Sequence, residues 1–331
     1  MEKISLVTGC AGFLGSHMTD FLLKKKHFVI GIDDLSSGKY INIKHNLKKR
    51  FKFHKKNINE ISQVLKNKKI DFVFHFAGHG ELIPSIEKPL DYFDNNVRNT
   101  ALLLEILRKY KIKIKKFVYA ASASCYGINN KKTNENHPIK IEHPYGFSKY
   151  IGEQVCLHWG KTYNIPVISI RIFNAYGPRS RTTNVYGAVI GVFIKQKISG
   201  YPLTVIGDGK QKRDFLFVTD LCQAFYKAAL SKFDNKVFNL GYGKPQTVKN
   251  LADIISKNQI KIPWRPGEPK TTHADISEIK KCLKWKPLIN FKEGMKIVLS
   301  DTSYWKKAPL WTKKKIKKIL LYLKQNQYDL V

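Results

Sequence analysis

Residues 4–23, ISLVTGCAGFLGSHMTDFLL, decide how this chain is read. Ile4–Thr8 has the apolar, β-branched character of a buried strand, and a helical pattern runs from Phe13 to Lys25. Between them Gly9, Gly12 and Gly15 fall at a spacing of three. Glycines at a strand-to-helix turn let the backbone fold tightly and approach a pyrophosphate. The helix N-terminus then adds N–H donors and the positive end of its dipole. The next strand, Phe28–Asp33, ends on an acid 18 residues after Gly15. A carboxylate there accepts hydrogen bonds from both adenosine ribose hydroxyls and repels a 2′-phosphate, so NAD is favoured over NADP. Asp34 adds to that preference.

Working outward, Asp71–Phe76, Lys116–Ala120 and Val167–Phe173 are further strands. Helical patterns run over Tyr92–Tyr110 and Tyr145–Tyr163. Strand and helix alternate, which predicts βαβ units: an α/β fold with a doubly wound parallel-sheet Rossmann domain over residues 1–175. After that, Gly, Pro and charged residues break the pattern into shorter pieces. A smaller C-terminal α/β substrate lobe is expected over 176–310, with some segments returning to the first domain. A basic tail, 311–331, has Ile316, Ile319, Leu320 and Leu323 on one helix face, and is read as docking on its own protein.

The 331 residues are 43% apolar and 12% aromatic, enough for a sizeable core. No run of about 18 apolar residues suggests a transmembrane helix. The N-terminus has no signal-peptide pattern, which predicts a cytoplasmic protein. The five cysteines form no CxxC pair, and the ten histidines form no metal-spaced cluster, so neither a disulfide scaffold nor a metal site is expected. The net charge of +34 raises nucleic acid as a partner, but only eight of the 59 basic residues are arginine. Base-reading surfaces favour arginine, and a lysine excess spread along the chain is instead a field that attracts anionic substrates.

Tyr145-Gly-Phe-Ser-Lys149 places a phenol and an ammonium on one helix face. A neighbouring positive charge favours phenolate and makes Tyr145 a usable proton acceptor. Ser122, at the carboxyl end of a strand, offers a hydroxyl to the oxygen that Tyr145 deprotonates.

Glycine loop, serine and YxxxK in this order resemble the extended short-chain dehydrogenase/reductases, the NAD-dependent sugar-nucleotide epimerases and dehydratases. HFAG at 75–78, KPLDYFDNNV at 88–97, RIFNAYGPR at 171–179 and RPGEP with HADISEIKKCLKWKP in 265–287 are similar to UDP-hexose 4-epimerases. The resemblance implies cofactor contacts at Phe13, Leu14, Asp33, Asp34, Ser37, Asn57, Ile58, Phe76, Ala77, Gly78, Asn95, Tyr145, Lys149 and Phe173. At Asn57 the family usually has Asp. It implies nucleotide-sugar contacts at Ser122 and Asn174, at Ala188 and Val189 against the base, at Arg213 and Arg265 on the diphosphate, and at Glu268 near the ribose. Thr272 stands where these epimerases gate the sugar pocket, and a small residue there admits a 2-acetamido group. Arg171, Arg179 and Arg181 lie in the same motif segments, as planar phosphate binders would. His75 and His273 read as structural, whereas His79 is a candidate for touching the sugar.

Among family reactions, a 4,6-dehydratase needs an acid and a base directly after the catalytic hydroxyl. Here those positions are Ala123 and Ser124, which cannot move protons at neutral pH. The expectation is therefore 4-epimerisation of a UDP-glucose or UDP-N-acetylglucosamine type of substrate, in a homodimer that serves surface-polysaccharide synthesis. The alternatives are another sugar-nucleotide oxidoreductase, a non-catalytic Rossmann binding protein, and a membrane-associated factor acting through the tail.

Overall fold

The computed structural model describes residues 2–47, 49–181, 189–264 and 269–325; for Ile319, Leu320 and 322–325 only the backbone is described. Six strands open the chain: β1 (Ile4–Thr8), β2 (Phe28–Ile32), β3 (Phe51–His54), β4 (Phe72–His75), β5 (Lys116–Ser122) and β6 (Val167–Ile172). A late strand, Lys236–Leu240, pairs with β6 and completes a seven-stranded sheet ordered β3, β2, β1, β4, β5, β6 and Lys236–Leu240. Every neighbouring pair is parallel. The order reverses between β1 and β4, so a crevice opens at the carboxyl ends of these two strands.

Both faces are buried, which is why the strands read as apolar runs. Leu6, Val73, Phe117 and Tyr119 point to one face, under Leu103, Leu107 and Cys156 of the covering helices. Val7, Phe72, Phe74 and Val118 point to the other, under Met18 and Leu22 of the Phe13–Lys24 helix and Leu221 and Phe225 of the Val218–Ala229 helix. A second core surrounds Phe193, Leu251, Met295 and Trp305. There the Leu203–Ile206 and Gln259–Ile262 strands pair in parallel, and the Val189–Ile198, Val248–Ile255 and Phe291–Ser300 helices cover them. The Lys313–Gln325 helix of the tail docks on this body: Ile316 is buried with Ile206 and Ile262. Ahead of it, Gln196 donates to the Trp311 carbonyl at 2.7 Å.

The pattern from Tyr92 to Tyr110 is not one α-helix. It is the short helix Pro89–Phe93, a π-helical turn Asp94–Arg98 and the helix Asn99–Lys109. The π-turn presents Asn96, buried, to its neighbours: its Oδ1 accepts from His79 N–H at 2.8 Å, and its Nδ2 donates to His79 O and to Ser148 Oγ. Two sheet strands, β3 and Lys236–Leu240, carry no clear signal in the sequence.

Arg171 is not a phosphate ligand. It lies on β6, 5% exposed, with its Nη2 2.6 Å from Oε1 and its Nε 3.0 Å from Oε2 of Glu153, which is fully buried on the Pro144–Tyr163 helix. Ser169 Oγ donates to the same carboxylate, and Arg171 Nη1 donates to Tyr126 OH at 2.7 Å. Arg179 is likewise committed, to Asp20 at 2.8 Å. Arginine type alone does not tell a ligand from the partner of a buried acid.

Removing one partner of a buried pair strands the other charge. Glu153→Gln should cost about 3–5 kcal/mol in urea unfolding, whereas joint replacement of Glu153 by Leu and Arg171 by Met should cost much less.

Candidate active site

One cleft of about 890 Å³ runs across the carboxyl ends of β1, β2, β4, β5 and β6 and into the second body. Its first end is the glycine turn. Gly9 has φ +68°, and a Cβ there would lie 2.8 Å from Ala77 N; a Cβ on Gly15 would lie 2.0 Å from Gly9 O. Gly12 caps the helix with no side-chain bond, so the first-turn N–H groups are left for a ligand. These features fit a dinucleotide pyrophosphate. Phe13 and Leu14 line the cleft beside them.

Asp33 accepts from Ala11 N–H at 2.9 Å and from Leu35 N–H at 2.8 Å. Burial pushes its carboxyl above the ordinary value, and these donors pull it back. A carboxylate has about four acceptor sites, so it retains capacity for ribose hydroxyls. Asp34 accepts from Ser36 and, at 2.6 Å, from Asn57 Nδ2. Asn57 is thus held by Asp34 and by a capping box with Glu60, and it lines the cleft with Ile58 and Ser37. Arg181 Nη1 donates to Ser37 O.

Beneath the cleft, His75 joins two loops through a chain of hydrogen bonds whose direction is forced. Ala77 N–H must donate to Thr8 Oγ1, which then donates to His75 Nδ1 at 2.6 Å. Thr100 Oγ1 donates to Asn96 O and so accepts from His75 Nε2. The imidazole is neutral, with its proton on Nε2. Burial lowers its pKa to about 3. His75 is structural, and it fixes Phe76, Ala77 and Gly78 against the π-turn; Asn95 faces the cleft from that turn. His273 Nε2 meets Gly243 O, and the residue lines the far part of the cleft beside Thr272. His79 lines the cleft, with its ring 5.1 Å from Tyr92.

Ser122, Tyr145 and Lys149 meet at the centre. Ser122 ends β5 and caps the turn Ala123–Tyr126, accepting from Ser124 N–H. Pro144 starts the helix that carries Tyr145 and Lys149, and His143 caps it, its Nδ1 accepting from Gly146 N–H at 3.0 Å. The His143 and Tyr145 rings are parallel, 5.8 Å apart, and Tyr92 meets Tyr145 edge-on at 6.3 Å. Burial raises the Tyr145 phenol above its ordinary pKa, and a hydrogen bond from Ser122 lowers it. Lys149 is 7% exposed, and burial brings its ammonium down to about 8. Here the geometry differs from the expected pairing: no hydrogen bond joins Lys149 to Tyr145. The ammonium sits 4.3 Å over the buried Tyr119 ring. His143 and Tyr92 were not expected in the site; the signal for His143 was a potential cap just before a proline at a helix start.

Phe173, Asn174, Val189, Arg213 and Thr272 carry the cleft onward. Arg213 Nη1 donates to Lys212 O and Pro269 O. Asp214 N–H donates to Thr272 Oγ1, so the Thr272 hydroxyl proton goes to Asn174, at 2.7 Å, and the atom it meets is Oδ1. The amide nitrogen of Asn174 is thereby aimed elsewhere and has no hydrogen-bond partner among the described residues. Ala188, Arg265 and Glu268 lie outside the described residues.

Residues 5–241 match the NAD dependent epimerase/dehydratase family. The chain belongs to that family. It is 35% identical over 306 residues to a putative UDP-glucose 4-epimerase of Methanocaldococcus jannaschii, covering 89% of this chain and 97% of that one. Its fold is similar to a UDP-N-acetylglucosamine 4-epimerase from Methanobrevibacter ruminantium solved with UDP-N-acetylmuramic acid: TM-score 0.84, 31% identity, 90% and 97% coverage. It is also similar to a UDP-glucuronic acid 4-epimerase from Bacillus cereus solved with UDP-glucuronic acid and NAD: TM-score 0.82, 32% identity, 92% and 99% coverage. A UDP-N-acetyl-alpha-D-glucosaminuronate decarboxylase is among the similar proteins. No helix among the described residues is long and apolar enough to cross a membrane.

Thr272→Val removes the bond that orients Asn174. UDP affinity of the NAD-loaded protein, read by calorimetry, should fall by about tenfold, and Thr272→Ser should stay within about twofold. Unchanged affinity in Thr272→Val would show that the hydroxyl does not set Asn174.

Proposed function

We propose that this chain is an NAD-dependent 4-epimerase of a UDP-sugar, of the UDP-glucose or UDP-N-acetylglucosamine type. The observation that carries the reading is the turn after the catalytic hydroxyl: Ser122, Tyr145 and Lys149 line the cleft, and Ala123 and Ser124 supply neither acid nor base for eliminating water. Ser124 Oγ instead hydrogen-bonds with Ser122 Oγ at 3.1 Å.

Bound NAD supplies a reversible acceptor for the C4 hydride. The glycine turn holds its pyrophosphate and Asp33 its adenosine ribose. Tyr145 takes the C4 hydroxyl proton and later returns it, and Ser122 orients that oxygen. Lys149 contributes a buried charge and holds the nicotinamide ribose. Asn174 and Arg213 would grip the diphosphate and leave the sugar free to present its opposite face to the cleft. Thr272 leaves room for a 2-acetamido group. The groove of Leu90, Phe93, Ile141, Pro144 and Phe147 supports a homodimer, because Leu90 is 77% exposed there.

Proton NMR of the protein with UDP-glucose, UDP-N-acetylglucosamine or UDP-glucuronate should show a C4-inverted product without net NADH in at least one tube. No product in any tube, or a 4-keto-6-deoxy sugar from dTDP-glucose, would overturn the proposal.

Lys149 carries its charge below about pH 8 and loses it above. The kcat/KM profile should therefore fall on the alkaline side near pH 8. Lys149→Met should lose that limb and on the order of 100-fold or more in rate.

A further inference from the structure

Neighbouring strands of the large sheet are all parallel, so the segments that precede them meet at one end, opposite the cleft. The register brings the strand starts level: Ile4 pairs with Phe28, Val29 with Phe51, and Ser5 with Phe72, which pairs in turn with Lys116. Just ahead of β3, β2, β1, β4 and β5 stand Lys49, Lys26, Lys3, Lys69 and Lys113. Lysines scattered in the sequence thus form a row across five adjacent strands, about 19 Å long at the usual strand spacing. All five are exposed.

No ion pair or hydrogen bond engages these five ammonium groups among the described residues. The acids at this end are spent elsewhere: Glu2 on Arg50 at 2.8 Å, Asp71 on Lys115 at 3.0 Å and on Ile4 N–H, and Glu105 on Arg108. Helix dipoles do not account for the row. The covering helices return their carboxyl ends to this side, and a lysine in the last turn complements each, as Lys24 and Lys109 do. Lys3, Lys49, Lys69 and Lys113 lie beyond those turns. The cleft end, in contrast, carries acids of its own: Asp33, Asp34, Glu81, Asp91 and Glu142 line it.

A row of unpaired cations attracts an anionic surface, and the remaining groups at this end select which kind. Arg50 and Arg108 are both held in ion pairs, so the free charge is lysine, a hydrated point charge without the planar fork that reads base edges. Tyr163, an exposed aromatic at this end, has the Arg108 guanidinium 5.0 Å over its ring and offers bases no open stacking face. Beside the row stands an aliphatic group. Leu230 is 49% exposed and follows the Val218–Ala229 helix, one turn after Tyr226, whose ring packs on Phe21 and His27 next to Lys26. Lysines around an exposed aliphatic side chain suit a bilayer interface, where charge meets headgroups and the apolar group enters among the chains.

We propose that the amino-terminal end of the sheet is a docking surface for an anionic phospholipid membrane. Lys3, Lys26, Lys49, Lys69 and Lys113 meet the headgroup phosphates, and Leu230 reaches below them. Docked this way, the cleft faces away from the bilayer and stays open to its ligands. The inference stands apart from the reaction the cleft performs.

The test is co-sedimentation of the NAD-loaded full chain with vesicles of phosphatidylglycerol and phosphatidylcholine, against phosphatidylcholine alone, at about 0.1 M salt. The mixed vesicles should bind, the neutral ones should not, and added salt should release the protein. The combined variant Lys3→Glu, Lys26→Glu, Lys49→Glu, Lys69→Glu and Lys113→Glu should lose on the order of 100-fold or more in partition coefficient, since each lysine near an anionic surface contributes about fivefold. The same five positions changed Lys→Gln should lose less, in the same direction, and keep the test readable if the first variant does not fold. Lys197→Glu, Lys244→Glu, Lys261→Glu, Lys292→Glu and Lys296→Glu together, at exposed positions away from this end, make the same change in net charge and should cost roughly threefold or less. Leu230→Ser should weaken binding about fivefold. Absence of binding to the mixed vesicles, equal losses in the two Lys→Glu variants, or vesicle binding abolished by duplex DNA at equal phosphate concentration would overturn the inference.

Discussion

The buried ion pair between Glu153 and Arg171 is the constraint around which the site is arranged. Neither charge can be abandoned in the interior, so the helix that carries Glu153 is held at one height and one rotation over β6. Tyr145 and Lys149 sit on that helix, about two turns and about one turn before Glu153, and inherit its placement. Arg171 extends the constraint through Tyr126, which passes a hydrogen bond to Asn239 on the last sheet strand. Asn239 in turn binds Thr133 O and the Glu135 carboxylate. The Pro144–Tyr163 helix, the far edge of the sheet and the loop after the serine turn are thereby parts of one polar network inside an apolar core.

A second network does the same for the cofactor side. The chain from Ala77 through Thr8, His75 and Thr100 to Asn96 runs in one donor direction without a break. A neutral histidine with a pKa near 3 transmits position but takes no part in proton transfer at ordinary pH. It is also the reason the π-turn persists: Asn96 and its carbonyl are committed to partners on three sides.

What the sequence made legible follows from what is local. Apolar runs separated by helical patterns marked β1, β2, β4, β5 and β6, and the glycine spacing marked the turn. β3 escaped notice because Phe51–His54 is a short edge strand with Lys52 and flanking lysines breaking its apolar pattern. The π-turn has nearly the periodicity of the helix around it, so Tyr92–Tyr110 read as continuous. Described residues expected to touch cofactor or substrate line one cleft, because strand ends gather them there. Their pairing was less legible. Arg171 and Arg179 resemble ligands until their acids are located, Lys149 rests on Tyr119, and Thr272 spends its hydroxyl on Asn174; each of these depends on a residue distant in sequence.

The docked tail makes the Lys313–Gln325 helix part of the cleft wall, since Ile316 lines the cleft. Ile316 packs with Ile206 and Ile262 and lines the cleft beside them, and the Trp311 carbonyl accepts one of the two amide hydrogens of Gln196. A ligand that touches this part of the wall would be thermodynamically linked to adherence of the helix. A ligand that tightens the wall tightens the tail by the same free energy, and a tail pulled away takes back that amount from the ligand.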